Sequence, residues 1–354
     1  MSAGGGAAGD VRTAPGGRPT FVLSIDTELV WGSFDHVPPA AFAARYPDER
    51  GVIREILALL NRYDIAATWA VVGHLFLASC QRGEDGRAHP AMPRPDFAWF
   101  DRDWYAADPC ADRASQPLWY GDDIVDAIIA APAHHEVGCH GFSHAIFGDP
   151  GFDAAAAAAE IDECRRLAGL RGLELRSFVF PRNREGHHEV LGERGFVAVR
   201  GADPTWPHRL PGRLGRLASL VDQALAIAPP VSIPREIRPG LWDIPGSMVL
   251  MERTGLRRIV PVSARVRKAR RGLRRAVQEG AVFHLWFHPF NLAPDRRAML
   301  GALDQILAEV AALRAAGRLD VQTMGQLADA LAAPTDSGSA GAVGARLAES
   351  GERS

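Results

Sequence analysis

Short apolar segments alternate with longer amphipathic segments along almost the whole chain. The apolar segments at residues 20–26, 66–72, 136–140, 177–181, 196–200 and 281–288 are typical of strands buried on both faces. Residues 52–63 and 296–316 carry apolar side chains at helical spacing. Repeated strand–helix units imply parallel strands with right-handed crossovers. The sequence therefore predicts an α/β fold with a parallel sheet.

Polar residues stand at the ends of several predicted strands. Asp26, His140, Arg182 and His288 each lie at or just after the carboxyl end of an apolar segment. Roughly seven or eight units fit a closed or nearly closed barrel, where these side chains would converge at one end. A doubly wound open sheet is the alternative, but there the same residues would not all meet at one point. We therefore expect a barrel.

The domain organisation follows from composition. Residues 1–18 and 334–354 are rich in small and polar residues, so we expect disordered tails around one barrel domain at 19–333. Long insertions are expected at about 80–121 and 205–240, and the first is rich in aromatic residues. A ligand lid and a patch on the barrel wall are both compatible with that insertion.

The overall charge and the apolar runs exclude some classes of protein. The formal net charge of the chain is −2, so its charge balance does not indicate a nucleic-acid partner. No apolar run approaches the length of a membrane span, and the start of the chain lacks the apolar region of a secretory signal. We expect a cytoplasmic protein whose four cysteines are reduced thiols: Cys80, Cys110, Cys139 and Cys164.

Two pairs of residues carry ligand chemistry. Asp26 and Glu28 are one residue apart, so on a regular strand both carboxylates face one side. His140 and His144, in the segment HGFSH, can direct two imidazoles at one metal ion. A solvated strand end and a satisfied core histidine are the corresponding structural alternatives. A catalytic zinc site needs a third ligand and an open position.

Residues at two further strand ends are candidates for the functional site. Arg182, in FPRN, can hold a carboxylate through two hydrogen bonds, although a surface ion pair is equally compatible. His288 closes the apolar segment FHLWFHPF and is a candidate acid, with a structural histidine as the alternative. His284, four residues earlier, is interpreted as a core or wall histidine.

In this order the motifs resemble the polysaccharide deacetylase (NodB-homology) family of carbohydrate esterases. The segment SIDTE resembles the family's opening acidic motif, HGFSH its histidine motif, GADPTW its aspartate–tryptophan motif, and LWFHP its final histidine motif. The resemblance spans roughly residues 20–331 and implies a distorted, seven-stranded parallel (β/α) barrel. Here Thr27 stands where the family usually has a metal-binding aspartate, and Pro181 precedes Arg182.

The resemblance also implies roles for individual residues. Asp26 would be the general base, held by Arg182, and His288 the general acid, with Asp203 as its neighbouring carboxylate. Glu28, His140 and His144 would bind a divalent metal, Zn²⁺ by preference. Predicted substrate contacts are Trp31, Trp104, Asp203, Trp206 and Trp242. The implied reaction is removal of an acetyl group from an N-acetylated sugar that is polymeric, lipid-linked or nucleotide-linked.

One basic segment is a candidate contact for a partner. The predicted helix at residues 263–279 has one apolar stripe, and residues 257–275 carry nine basic side chains. A solvated outer helix explains this pattern, and so does contact with an anionic membrane or with a phosphate on the substrate. Two alternative functions also remain open: hydrolysis of a small non-sugar amide or imide, and an inactive barrel that binds carbohydrate.

Overall fold

A computed structural model describes residues 18–204 and 212–333 of the chain. The predicted tails lie outside these residues, except for Arg18, and so does Trp206. No helix within the described ranges has the length and apolar character needed to cross a membrane.

The sheet contains ten strands. They are β1 (Thr20–Thr27), β2 (Thr68–Val71), β3 (Glu136–Cys139), β4 (Ser177–Val179), β5 (Ala198–Arg200), β6 (Arg235–Arg238), β7 (Leu241–Asp243), β8 (Met248–Val249), β9 (Val282–Phe287) and β10 (Asp320–Val321). Their order is β6-β7-β5-β4-β3-β2-β1-β9-β8, and β10 also pairs with β1.

Helices connect most of these strands. They are α1 (Pro39–Arg45), α2 (Glu49–Tyr63), α3 (Asp122–Ile129), α4 (Ala154–Gly169), α5 (His188–Glu193), α6 (Gly212–Leu225), α7 (Val262–Glu279), α8 (Arg296–Ala315) and α9 (Met324–Ala332). The sequence pattern located most of them, because their apolar faces pack on the sheet. It missed α1 and α6, which are short or lie in an insertion.

Seven strands form the central parallel path β7-β5-β4-β3-β2-β1-β9. The remaining three are short additions, of which β6 pairs antiparallel with β7. The predicted distorted (β/α) barrel is therefore confirmed, but its sheet has ten strands and not the seven expected, because β8 and β10 also join it in parallel and β6 joins it antiparallel.

The sheet curls strongly. Three strands separate β5 from β1, which in a flat sheet would place them about 19 Å apart. Nevertheless Arg200 of β5 donates a hydrogen bond of 2.8 Å to Ser24 Oγ of β1. On the other side, Nδ1 of His284 in β9 lies 3.0 Å from the carbonyl oxygen of Ile244, just after β7. The curl brings the carboxyl ends of distant strands together.

The inner face of the curled sheet is filled by apolar side chains and closed by α9. Val22, Ala70 and Trp242 pack there with Leu327 and Leu331 of the helix. The first residues of α9 donate to Thr68 Oγ1 and Glu136 Oε2, at the amino ends of β2 and β3. The helix therefore closes the end of the barrel opposite the predicted chemistry.

The two insertions differ. The insertion at 80–121 buries most of its aromatic side chains against the barrel wall, including Phe97, Trp104 and Trp119. Trp99 is the exception, with 45% of its surface exposed. This segment is therefore mainly a patch on the wall. The insertion at 205–240 contains α6 and β6 in its described part.

Candidate active site

The carboxyl ends of the strands form one open cleft. Asp26 lies near the end of β1, Glu28 follows that strand, and His288 follows β9. These three side chains line the cleft together with His144. His140, directly after β3, lies behind His144, with ring centroids 4.9 Å apart. The structure therefore brings five predicted site residues together: Asp26, Glu28, His140, His144 and His288.

Asp26 forms a buried ion pair with Arg200. The guanidinium donates to both carboxylate oxygens, at 2.8 Å and 2.5 Å, and is fully buried. Burial alone would raise the pKa of Asp26, but the charge of Arg200 lowers it below its usual value. Sequence reasoning missed Arg200. The signal was present, because this arginine ends an apolar strand in the same way as Asp26.

Glu28 meets both histidines of HGFSH. Its Oε1 atom lies 3.0 Å from Nε2 of His140 and 3.2 Å from Nε2 of His144. All three side chains are buried. Burial alone would raise the pKa of Glu28, but the imidazoles of His288 and His144 hold it well below its usual range. Thr27 lies on the other side of the strand, with its hydroxyl directed at the carbonyl of Ile25.

The three groups fit a divalent metal. Nδ1 of His140 lies 2.7 Å from the carbonyl oxygen of Val179, which requires a proton on that nitrogen. In the neutral ring Nε2 then carries a lone pair and faces a carboxylate oxygen, an arrangement that a cation between them stabilises. Two imidazole nitrogens and one carboxylate oxygen are the donors of many catalytic zinc sites. Asp26, Glu28 and His288 also lie close enough to form a group, but Arg200 already occupies both oxygens of Asp26.

A tight turn fixes the HGFSH segment. Gly141 has a φ of +73°, which glycine adopts at low cost. The buried carboxyl group of Glu160 then accepts hydrogen bonds from the amide and the hydroxyl of Ser143, at 2.8 Å and 2.5 Å. Tyr105 donates to the same carboxyl group at 2.7 Å. These bonds orient the backbone that carries His144.

His288 is held by Asn291 and faces two carboxylates. Its backbone amide donates to Oδ1 of Asn291, which also lies 3.3 Å from Nδ1 of the ring. Nε2 lies 3.2 Å from Glu28 Oε1 and 3.7 Å from Asp26 Oδ2. Burial alone would lower the pKa of His288, but Glu28 and Asp26 raise it to about 9. Asn291, which orients the ring, was not among the predicted residues.

Arg182 and Asp203 make other contacts than those predicted. Arg182 donates to both oxygens of Asp35 at 2.6 Å, at the rim of the cleft, so it does not hold Asp26. Asp203 accepts a hydrogen bond from Nε1 of Trp286 and borders a separate cavity with Lys268, so it is not the carboxylate beside His288. Both predicted pairings are wrong, because strand curvature and side-chain direction, which spacing does not encode, decide the partners.

The predicted tryptophan contacts are corrected as well. Trp31, Trp104 and Trp242 are each 1% exposed and belong to the core, so none of them lines the cleft. Trp104 instead donates to Oγ of Ser143 at 3.0 Å and supports the histidine turn. The predicted contact at Trp206 lies outside the described residues. The aromatic side chains that do line the cleft are Phe42, Tyr46, Trp286 and Phe290.

The basic segment is partly engaged within the protein. Arg265 and Lys268 lie on the buried face of α7. Arg265 donates to the backbone carbonyls of Met251, Val260 and Glu252, and Lys268 contacts Asp222. These side chains therefore stabilise the outer layer of the barrel, and Arg270, Arg271 and Arg275 also contact neighbouring groups of the protein.

Comparisons with known proteins agree with this architecture. No family profile and no curated protein sequence matches the chain. A solved structure described as a polysaccharide deacetylase from Mycobacterium smegmatis aligns with a TM-score of 0.59 and 16% identity, over 92% of this chain and 95% of that one.

Two further structures align almost as well. A polysaccharide deacetylase from Pseudomonas aeruginosa PAO1 gives a TM-score of 0.54 at 12% identity, over 88% of this chain and 89% of that one. Puue allantoinase gives 0.55 at 13% identity, over 89% and 91% of the two chains. At these identities the similarity concerns the fold, and the chain has the distorted (β/α)-barrel fold of the polysaccharide deacetylases.

Proposed function

We propose that this protein is a metal-dependent hydrolase that removes the acetyl group from an N-acetylated sugar. The observation that carries the proposal is the convergence of Glu28, His140 and His144 beside the Arg200-paired Asp26 and the oriented His288. Glu28, His140 and His144 would hold the metal, Zn²⁺ by preference. When bound, this ion would lower the pKa of a water molecule and polarise the amide carbonyl.

Two proton transfers fall to residues of this chain. Asp26, kept ionised by Arg200, accepts a proton from the attacking water as its oxygen bonds to the carbonyl carbon. His288, whose pKa is raised by the nearby carboxylates, gives its proton to the nitrogen as the carbon–nitrogen bond breaks. The products are acetate and an amine. The proton that Asp26 accepts replaces the one that His288 gives up, and the proton of the released acetic acid passes to the amine or to solvent.

The lining of the cleft is compatible with a sugar substrate. Trp286, Tyr46, Phe42 and Phe290 present aromatic side chains, and Arg45, Arg182 and His36 add polar groups. The cleft thus combines aromatic side chains with many polar and charged groups, and both can contact a sugar. Candidate substrates are polymeric, lipid-linked or nucleotide-linked acetamido sugars. We also propose that exposed basic residues in 263–279 contact a phosphate group or an anionic lipid.

The second candidate function is hydrolysis of a small amide or imide. The structural similarity to an allantoinase, comparable to that with the deacetylases, favours retaining it. An inactive carbohydrate-binding barrel would not need a paired base, an oriented acid and a ligand triad together.

The test is an acetate-release screen on the zinc-loaded protein, with ureides and imides in parallel. Release from at least one N-acetylated sugar supports the proposal, and turnover of a ureide alone would transfer it to the second candidate. Asp26→Asn should keep metal and lose about 10²–10⁴ in rate. Near-normal turnover of this variant would exclude Asp26 as the base.

The ligand assignment has a matched control in neighbouring positions. His140→Ala and Glu28→Ala should each lose metal at this site. Thr27→Val should keep it, because the Thr27 hydroxyl is directed away, at the Ile25 carbonyl. Metal loss in Thr27→Val with retention in Glu28→Ala would reverse the assignment.

A further inference from the structure

A second group of ligand-type side chains lies where the 80–121 insertion leaves the barrel. His74 belongs to the short turn Gly73–Phe76 that follows β2, and Cys80, His89 and Asp108 belong to the insertion. One ligand-type atom of each residue lies within 4.8 Å of those of the others. None of the four residues lines the catalytic cleft. The group is therefore distinct from the site described above.

Asp108 is the centre of this group. Its Oδ2 atom lies 2.8 Å from Nε2 of His74, 2.7 Å from Nε2 of His89 and 3.3 Å from Sγ of Cys80. His74 and Asp108 are fully buried, and His89 has 12% of its side chain exposed. Four donor atoms from the turn after β2 and from the insertion thus converge, two of them on buried residues and two on partly buried ones.

The orientation of His74 favours a cation between its ring and Asp108. Nδ1 of this ring lies 3.1 Å from the carbonyl oxygen of Trp119, so the proton of the neutral ring belongs on Nδ1. Nε2 then presents a lone pair to a carboxylate oxygen. Although it is buried and only 2.8 Å from that oxygen, Nε2 makes no hydrogen bond. Two electron-pair donors in this position repel each other unless a metal ion or a second ring proton lies between them, and the two further ligand-type side chains beside them favour the metal ion.

The second carboxylate oxygen is fixed by other partners. Oδ1 of Asp108 accepts a hydrogen bond from the amide of Cys110 at 2.9 Å and another from the hydroxyl of Tyr120 at 3.1 Å. These bonds orient the carboxylate so that Oδ2 faces the histidines. Metal ligands in proteins are commonly held by such outer hydrogen bonds, as are the ring nitrogens opposite the metal.

We propose that His74, Cys80, His89 and Asp108 bind a zinc ion that has a structural role. Two imidazoles, one thiolate and one carboxylate supply four donors, which closes a tetrahedral site. The thiolate and imidazoles select against magnesium and calcium, which prefer oxygen ligands. The proposal is independent of the proposed function, because it uses none of the cleft residues.

The proposed zinc site lies between the insertion and the barrel. Three of the four ligands lie in the insertion, and the fourth belongs to the barrel, so the ion would fasten the insertion to the wall. The same insertion carries Trp104, whose indole donates to Ser143 in the histidine turn. Loss of the ion should therefore loosen the insertion and, through Trp104, the support of His144.

The test combines metal analysis with cobalt substitution of the full-length protein. Zinc-loaded wild-type protein should hold about two ions per chain if both sites fill. The cobalt-loaded protein should show near-ultraviolet sulfur-to-cobalt charge-transfer absorption, because only this second site contains a thiolate. Cys80→Ser should abolish that absorption and reduce the zinc content by about one ion.

Two matched variants separate the sites. His140→Ala should lose the ion of the catalytic cleft and keep the thiolate absorption. Cys110→Ser should also keep it, because the Cys110 thiol lies beside Cys80 but is not one of the four ligand-type atoms that converge. His89→Gln, at the partly exposed edge, serves as a second ligand variant if Cys80→Ser does not fold.

Absence of thiolate absorption in cobalt-loaded wild-type protein would overturn the proposal. So would a disulfide between Cys80 and Cys110, found by mass spectrometry of protein purified without reductant. Undiminished zinc content in folded Cys80→Ser and His89→Gln, judged by circular dichroism, would also overturn it.

Discussion

The buried pair between Arg200 and Asp26 offers the sharpest test of how the barrel builds its base. Arg200→Met removes two short, charge-assisted hydrogen bonds and leaves the carboxylate of Asp26 buried without its partner. Removing one member of a buried ion pair costs about 3–5 kcal/mol in the free energy of unfolding. The lost hydrogen bond to Ser24 adds to this cost.

A surface pair with the same geometry is the control. Arg176 donates to both oxygens of Asp329, at 2.9 Å and 2.6 Å, but 36% and 55% of the two side chains are exposed. Solvent screens this pair, so Arg176→Met should cost less than about 1 kcal/mol. Urea unfolding followed by tryptophan fluorescence measures both losses at one pH.

The same substitution predicts a change in the pH dependence of hydrolysis. Arg200 holds the pKa of Asp26 low, so without it the carboxyl group should take up a proton at higher pH, and the acid limb of the rate profile should move upward. Asp26→Leu combined with Arg200→Met should recover much of the stability without activity, because no unpaired charge remains. Equal losses in Arg200→Met and Arg176→Met would refute the reasoning.

Three further substitutions test individual contacts. Glu49 is buried without a hydrogen bond to its carboxyl oxygens, and burial, followed by the charge of Glu28, raises its pKa from 4.5 to about 8. Because the pKa is higher in the folded state, the free energy of unfolding is largest below pH 4.5 and falls as the pH rises toward 8. Between pH 4.5 and 7 the fall should be roughly 3 kcal/mol. Glu49→Gln should flatten this decline in urea unfolding curves, and an unchanged slope would contradict the assignment. Glu160→Ala leaves the Ser143 amide without its hydrogen-bond partner. The zinc affinity of the cleft, measured by competition with a chelator, should therefore fall about 10–100-fold. An unchanged affinity would show that the histidine turn keeps its shape without Glu160. Gly151→Ala would place a methyl group 1.8 Å from the carbonyl oxygen of Asp96. The free energy of unfolding should fall by about 1–3 kcal/mol, which a lower midpoint of thermal unfolding would show. An unchanged midpoint would mean that the loop relaxes freely.

Local patterns in the sequence located the elements and some of the site. Apolar strands with polar ends predicted the parallel barrel and placed Asp26, Glu28, His140, His144 and His288 at its carboxyl edge, where the structure brings them together. His284 was expected in the core or wall, and it is buried, with Nε2 2.8 Å from Ser24 Oγ.

Spacing failed where partners come from distant segments. Arg182 and Arg200 both stand at strand ends, yet only the second reaches Asp26, because the curled sheet brings β5 opposite β1. Aromatic residues gave a similar error. Trp104 and Trp242 were expected at the substrate but pack in the core, whereas Trp286, two residues before His288 on the same strand face, lines the cleft.

The sequence by itself determined the strand–helix alternation and the residue types at the strand ends, because periodicity and strand-end position are local properties of the chain. Only the tertiary structure decided that Arg200 holds Asp26, that Glu28 meets both histidines, and that His74 joins Cys80, His89 and Asp108. These contacts join residues up to 174 positions apart. Their geometry depends on the curvature of the sheet and the path of the insertion, which no local pattern encodes.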